Sequence, residues 1–366
     1  LPIPRPIGGP LAPDAPALAL AGADWVCLAV HADHTFLTLA AAAQLLDQPP
    51  DRARARRDAL VVRGLLRLTL ADEIADALLR RGAGLGDVEG RAEALAAREP
   101  AEVTAAGLAL LCRWWGLTGP GAARWRGIAG GGPERSLGRR GELLTMIEHT
   151  LGVDALMAGL AAAARAVGGE LVAWHGSARA GFAGAGPWPD AYGVCRRGGL
   201  DWHCWLEYDR ASERGDAWVA KLCRYHRLRD RRLAEAGAAL RAELPVWPRL
   251  LIVTRAEKDE ATIARAAAVA AFGHGPPLDL LLTTEARVAA TPEGLLGAVW
   301  RRAGDGAAPR RHWQSSGGPG QPFRGVAGRV AWQPRRIVAG AHADERDDDL
   351  DYEDFDRLMR RSPGRH

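Results

Sequence analysis

Five side chains between positions 190 and 225 have the types and spacing of a site for phosphoryl chemistry. Asp190 follows Pro189 and precedes a short apolar run, 191–195. Glu207 stands 17 residues further on, and Asp209 lies two beyond it at the end of the run 202–208. Residues two apart on a regular strand share a face, so Glu207 and Asp209 can point to the same side. Lys221 follows 12 residues after Asp209, and Tyr225 lies one helical turn beyond, on the same face. Phosphodiester hydrolysis can use such a set. Carboxylates from adjacent strands can hold a hard cation, Mg²⁺ or Mn²⁺, that polarises phosphate and activates water. An ammonium group can stabilise the charge that develops on the phosphate. On this reading Asp190, Glu207 and Asp209 are candidate metal ligands, and Lys221 and Tyr225 join them as candidate catalytic groups. A plainer reading stands beside it: Asp190 caps a turn after Pro189, and Asp209 with Arg210 and Glu213 with Arg214 are surface ion pairs.

Other residues with chemical potential carry less. His149 can be read as a catalytic histidine, but a capping or packing role is favoured, because no Ser or Cys nucleophile motif accompanies it. The five cysteines form no CxxC pair, which argues against a disulfide framework and a zinc ribbon. They read as buried thiols, although His203-Cys204 and Cys223 with His226 could hold a metal on paper.

The elements that would position the acidic set alternate. A helical period runs through 140–167. Strands are expected at 170–174, 191–195, 202–208, 250–254 and 278–283, and helices at 217–241, 260–272 and 293–301. Strands alternating with helices predict an α/β domain over 140–303 with helices packed on its sheet.

A second feature precedes this domain. Thr38 can cap the short helix LAAAAQLL, and Asp47-Gln48-Pro49-Pro50 makes a turn. Pro50 suits the first turn of the helix that follows, expected at 51–63, and Gly64 can end it in a left-handed conformation. A strand follows from Leu65. Helix, tight turn, basic helix and strand is the order of a winged helix-turn-helix. Arg52, Arg54, Arg56 and Arg57 crowd the expected exposed N-terminal half of the second helix, and Arg63 ends it. Arginines there can reach phosphates or guanine edges. The alternative is a solvated basic helix in a protein-binding domain. The strand-then-helix pattern EVTAAGLALL, 102–111, fits the end of a wing, with 71–100 as an insertion between the wing strands.

Taken together, the Pro-Asp and Glu positions resemble the PD-(D/E)xK nuclease fold, a restriction-endonuclease-like α/β fold. Its motif places a lysine two residues after the acid, where this chain has Asp209. The resemblance permits Lys221 to serve from the following helix, and Lys221 with Tyr225 resembles the QxxxY helix of some nucleases of that fold. The order of LTLAAAAQLL, VVRGLLR, EVTAAGLALL, IEHTLGVDALMAGLAAAARAVGGELVAWH, PDAYGV, WLEYDR, KLCRYHRL, WPRLLIVT and AVWRRAG, spread over about 34–304, is similar to the replication-relaxation family of plasmids and integrative elements. That resemblance implies a role in replication or transfer of such an element without fixing a reaction.

Bulk properties agree with two domains and tails in 366 residues. The expected division is an extended segment at 1–23, the winged helix at 24–118, a Gly-rich linker at 119–139, the nuclease-like domain at 140–303, and a tail from 304 with an acidic block at 344–356. The net charge of +4 says little about nucleic acid. Residues 1–20 lack a signal-peptide pattern, and no apolar run is long enough to span a membrane, so no membrane partner and a cytoplasmic location are expected. The expected partners are DNA and replication or conjugation proteins of the same element. Two functions remain open: DNA binding with metal-dependent nicking or cleavage, and a non-catalytic regulator or adaptor that keeps the nuclease-like fold for contacts.

Overall fold

The computed structural model describes residues 20, 22–104, 106–107, 110–111, 144–176, 187, 189–210, 214–234, 246–272, 274, 277–305, 308–313 and 326–327. It opens with a helix, α1 (Gly22–Asp33). The Thr38 hydroxyl then accepts the Ala41 amide hydrogen at 3.2 Å and starts α2 (Leu39–Leu46). Asp47, left-handed at φ 53°, ends α2. Pro50 opens α3 (Pro50–Val62), where its missing N–H costs no helical hydrogen bond. Gly64, at φ 68°, turns the chain into strand β1 (Leu66–Leu68). β1 pairs antiparallel with β2 (Ala101–Val103). Two helices, α4 (Ala71–Arg80) and α5 (Leu85–Ala96), fill the insertion between these strands.

The second half is built on α6 (Ile147–Ala166) and a mixed sheet. Its strands are β3 (Glu170–Gly176), β4 (Ala191–Arg197), β5 (Leu200–Asp209), β6 (Arg249–Thr254), β7 (Leu280–Thr284) and β8 (Arg301–Arg302), side by side in that order. β3, β4 and β5 are antiparallel. Gly198 and Gly199, both at positive φ, form the two-residue turn from β4 to β5, as a primed hairpin turn requires. Helix α7 (Gly215–Leu233) returns the chain to β6, parallel to β5, and α8 (Glu257–Ala270) returns it to β7, again parallel. β6 and β7 are buried at every position, which is why they read as unbroken apolar runs.

The sheet is covered on both faces. α7 and α8 enclose Trp205, Trp218, Leu222, Ile252, Ile263 and Leu282. The other face packs on α6 through Met157, Leu160, Leu171, Leu206 and Val253. Helix α6 is also where the two halves meet. Ala41, Ala42 and Leu45 of α2 join the same cluster as Met157 and Ala161. Ile74, Leu78, Val88 and Leu95 of α4 and α5 bury against Ile147 and Leu151. An Ala- and Leu-rich helix is apolar on more than one side, and each buried Leu contributes about 1.5–3 kcal/mol.

The α/β class agrees with the sequence, and the five expected strands lie in one sheet. Three expectations need correction. The helix expected at 293–301 is one 3-10 turn, Gly294–Leu296. Gly294 at φ 49° stops an α-helix there, and Trp300 instead bridges to Arg311. A short helix, α9 (Glu285–Ala290), started by the Thr284 hydroxyl, was not expected. The stretch after 304, expected as tail, includes fully buried Trp313, whose carbonyl accepts a bond from Arg249. It also includes β9 (Val326–Ala327), which pairs with the start of β5. Of the expected extended segment 1–23, Gly22 and Ala23 already belong to α1 and Leu20 is buried; the rest of it, the linker 119–139 and the acidic block 344–356 lie outside the described residues. Among the described residues no helix is long and apolar enough to cross a membrane.

Close approach of α6 to β5 gives a test of this packing. A Cβ on Gly152 would overlap the Tyr208 ring. Gly152→Ala should therefore destabilise the protein by about 1–3 kcal/mol, although alanine is the better helix former. A lowered urea midpoint with an unchanged slope checks this; a raised midpoint would show that α6 stands further from β5.

Candidate functional site

Side chains alternate along β5, and this sorts the acidic residues. Trp205 and Glu207 face α7, whereas Leu206 and Tyr208 join the α6 side. Glu207 is fully buried. The Tyr225 hydroxyl donates to its Oε1 at 2.5 Å, and Lys221 Nζ lies 2.8 Å from its Oε2. Trp218 Nε1 donates to Asp209 Oδ2 at 3.3 Å, and the Lys221 ammonium lies 4.8 Å from the centre of the Trp218 ring. Trp218, Lys221 and Tyr225 follow at helical spacing, so one stripe of α7 closes over the end of β5. The sequence spacing identified Lys221 and Tyr225; Trp218 was missed, since a lone Trp on an apolar stripe reads as core.

Asp190 reaches the same place from the start of β4 but engages its oxygen differently. Oδ2 accepts the Tyr208 amide hydrogen at 2.8 Å and lies 3.1 Å from His149 Nε2. His149 comes from the first turn of α6 and sits 5.6 Å, centre to centre, from the Tyr208 ring. The Tyr208 hydroxyl donates to Glu285 at the start of α9, and burial raises the Glu285 carboxyl. Next to His149, Glu148 bonds Arg91 of α5 at 2.9 Å and also pairs with Arg210. Burial works against the Glu148 charge, but the Arg91 bonds and the Arg210 charge outweigh it and hold Glu148 below its usual range.

These groups open onto a cavity of about 500 Å³ lined by His149, Asp190, Tyr208, Asp209, Arg210 and Lys221. Leu78, Arg81, Gly82, Ala83 and Arg91, from α4, α5 and their connection, form its opposite wall. The cavity lies beyond the carboxyl end of β5, where open α/β sheets receive ligands. Glu207 is not in its lining: it sits one layer behind, under Lys221.

The expected metal set converges on one region but not on one point. Lys221 and Tyr225 occupy the two Glu207 oxygens, and Asp190 is turned to His149 and the β5 backbone. Among the described residues no group of three or more His, Cys, Asp or Glu side chains is placed to hold a metal ion. As packed, Asp190, Glu207 and Asp209 do not fit a shared Mg²⁺ or Mn²⁺ centre. Cys27, Cys195 and Cys204 are buried free thiols and Cys223 is partly buried.

The arginines of α3 also divide. Arg57 is only 2% exposed: it lies on the inward stripe with Ala53 and Leu60 and pairs with Glu99 and Asp58. The expectation that it faces solvent is corrected on that ground. Arg54 is exposed but pairs with Glu99, and Arg56 pairs with Asp24. Arg52 and Arg63 are exposed.

The buried carboxyl gives a pH signature. Burial pushes Glu207 up to about 8 from 4.5, even though Lys221 pulls it down. For an acid raised on folding, the folded state binds the extra proton, so its contribution is full below the unfolded pKa and is lost as pH rises through the folded one. Glu207→Gln keeps an acceptor for Tyr225 without the titration. Relative to wild type, it should flatten the fall in stability between about pH 4.5 and 8. Parallel pH slopes in thermal melts of the two proteins would contradict this.

No curated protein and no solved structure matches the chain. One family model does, over residues 88–241. That stretch contains His149, Asp190, Glu207, Asp209, Lys221 and Tyr225, and it is similar to the replication-relaxation family.

Proposed function

We propose that this chain handles DNA during replication or transfer of a plasmid or other mobile element. In this reading the helix-turn-helix-like α2–α3 unit with β1 and β2 is a winged-helix module that holds duplex DNA. The cavity beyond β5 takes the phosphodiester backbone. The replication-relaxation match over 88–241 supports the cellular role. The observation that carries the molecular one is the meeting of Asp190, Asp209, Lys221 and His149 at one cavity, with Arg81, Arg91 and Arg210 around it. Carboxylates, an imidazole and cations in one cleft are the equipment for moving protons and stabilising charge at a phosphate.

The adaptor reading keeps one specific observation in its favour. Both Glu207 oxygens are engaged inside the protein, so this part of the nuclease-like set is consumed by folding. Nicking of supercoiled plasmid by the wild type, with and without Mg²⁺, separates the two readings. Binding without nicking under either condition leaves the adaptor.

The binding half has its own test. Arg52 and Arg63 are the exposed arginines of the α3 region outside ion pairs among the described residues. Arg52→Ala with Arg63→Ala should weaken duplex binding and lower the salt slope by about one unit for each phosphate no longer neutralised. Fluorescence anisotropy across a salt series reads both quantities. Unchanged affinity and slope would take α3 out of the interface. Replacing Arg54, Arg56 or Arg57 would confound the test, because each also breaks an intramolecular ion pair.

A further inference from the structure

The cavity contains an oriented imidazole that nothing in the nuclease-like motif assigns. His149 Nε2 lies 3.1 Å from Asp190 Oδ2. The same carboxylate oxygen is fixed by the Tyr208 amide at 2.8 Å. A carboxylate held by a backbone N–H and facing an imidazole nitrogen keeps the proton on that nitrogen. Nε2–H therefore donates to Asp190, and Nδ1 carries the lone pair. Among the described residues Nδ1 has no hydrogen-bond partner. The ring belongs to the cavity lining and is about one-fifth exposed. Lys221 lines the same cavity.

We propose that His149 is the general base of this cavity, that Asp190 positions it, and that Lys221 faces the leaving group; the proposal rests on the reading of the cavity as a phosphodiester site. In the step, Nδ1 of His149 takes a proton from water as the water oxygen bonds to phosphorus. The bond from phosphorus to one sugar oxygen breaks, and the Lys221 ammonium gives that oxygen a proton. The products are a phosphate monoester and a free sugar hydroxyl, with one water consumed. Asp190 stays ionised and holds the imidazolium. Solvent returns the proton from His149 to Lys221. This division of labour gives Asp190 a task that its bonds already show, and it leaves Glu207 with Tyr225 as the buried support that fixes the Lys221 ammonium.

The test uses the full chain with supercoiled plasmid for cleavage and a fluorescent oligonucleotide duplex for binding. His149→Ala should lower cleavage by about 100-fold or more while duplex affinity stays within about twofold. Added imidazole should restore part of the missing rate, which a purely structural defect would not allow. His149→Gln, which retains more of the side-chain volume, guards against misfolding and should be equally slow without rescue. Asp190→Asn, whose amide can donate to Nε2 and so shift the proton to Nδ1, should also be slow. In a His149→Ala background it should add little further loss. Cleavage by His149→Ala at the wild-type rate, or a loss without imidazole rescue that multiplies with Asp190→Asn, overturns the base assignment and leaves the phosphodiester reading standing. If the wild type cleaves no DNA, both the base assignment and the hydrolytic reading fall, and duplex binding through α3 remains as a separate result.

Discussion

Removing the Glu207 carboxyl from water is the constraint around which this part of the molecule is arranged. A buried carboxylate without partners costs several kcal/mol or more, and Glu207 has no exposed surface. Its two oxygens are met by Tyr225 and Lys221. Meeting both requires α7 to lie along β5 with one helical face turned inward. The same face brings Trp218 to Asp209, so satisfying one acid also places the next. Asp190 and His149 then occupy the solvent side of the same strand end, in contact with the cavity. Buried support and cavity lining are thus different layers around the end of β5.

A second constraint joins the N-terminal helices to that site. Helix α6 is buried by the sheet, by α2 and by the α4–α5 pair. Its first turn carries Glu148 and His149, and Glu148 is gripped from one side by Arg91 of α5 and from the other by Arg210. The insertion between β1 and β2 is therefore a wall of the cavity as well as a decoration of the N-terminal module. DNA held by α3 and a backbone in the cavity would touch parts of one packed body. Any shift of α5 would be felt at Glu148, next to His149.

Much of this is readable in the chain because its signals are local. β6 and β7 announce themselves as apolar runs since both their faces are covered. Thr38, Pro50 and Gly64 mark helix ends through side-chain and backbone chemistry that needs no distant partner. Lys221 and Tyr225 share a helical face by spacing alone. What escapes such a reading depends on long-range contacts. The partner of His149 lies 41 residues away, so a residue favoured as a cap in the sequence lines the cavity beside Asp190. Arg57 looks like its exposed neighbours until its pairing with Glu99, in the turn between α5 and β2, is seen. Glu207 looks like a metal ligand because sequence shows neither the depth of β5 nor the hydroxyl and ammonium that fill its coordination. The expected helix at 293–301 fails at Gly294, where a left-handed residue is hidden in an apolar period.

Entry of nucleic acid into the cavity beyond β5 is the claim on which the rest depends. Photocrosslinking of an oligonucleotide with a reactive group on its backbone, followed by mapping of the modified peptides, addresses it directly. Adducts are expected at Arg81, Arg91, His149, Tyr208, Arg210 and Lys221, which line the cavity, in addition to α3. Adducts confined to α3 and its neighbours, with none at those cavity residues at saturating DNA, would contradict it.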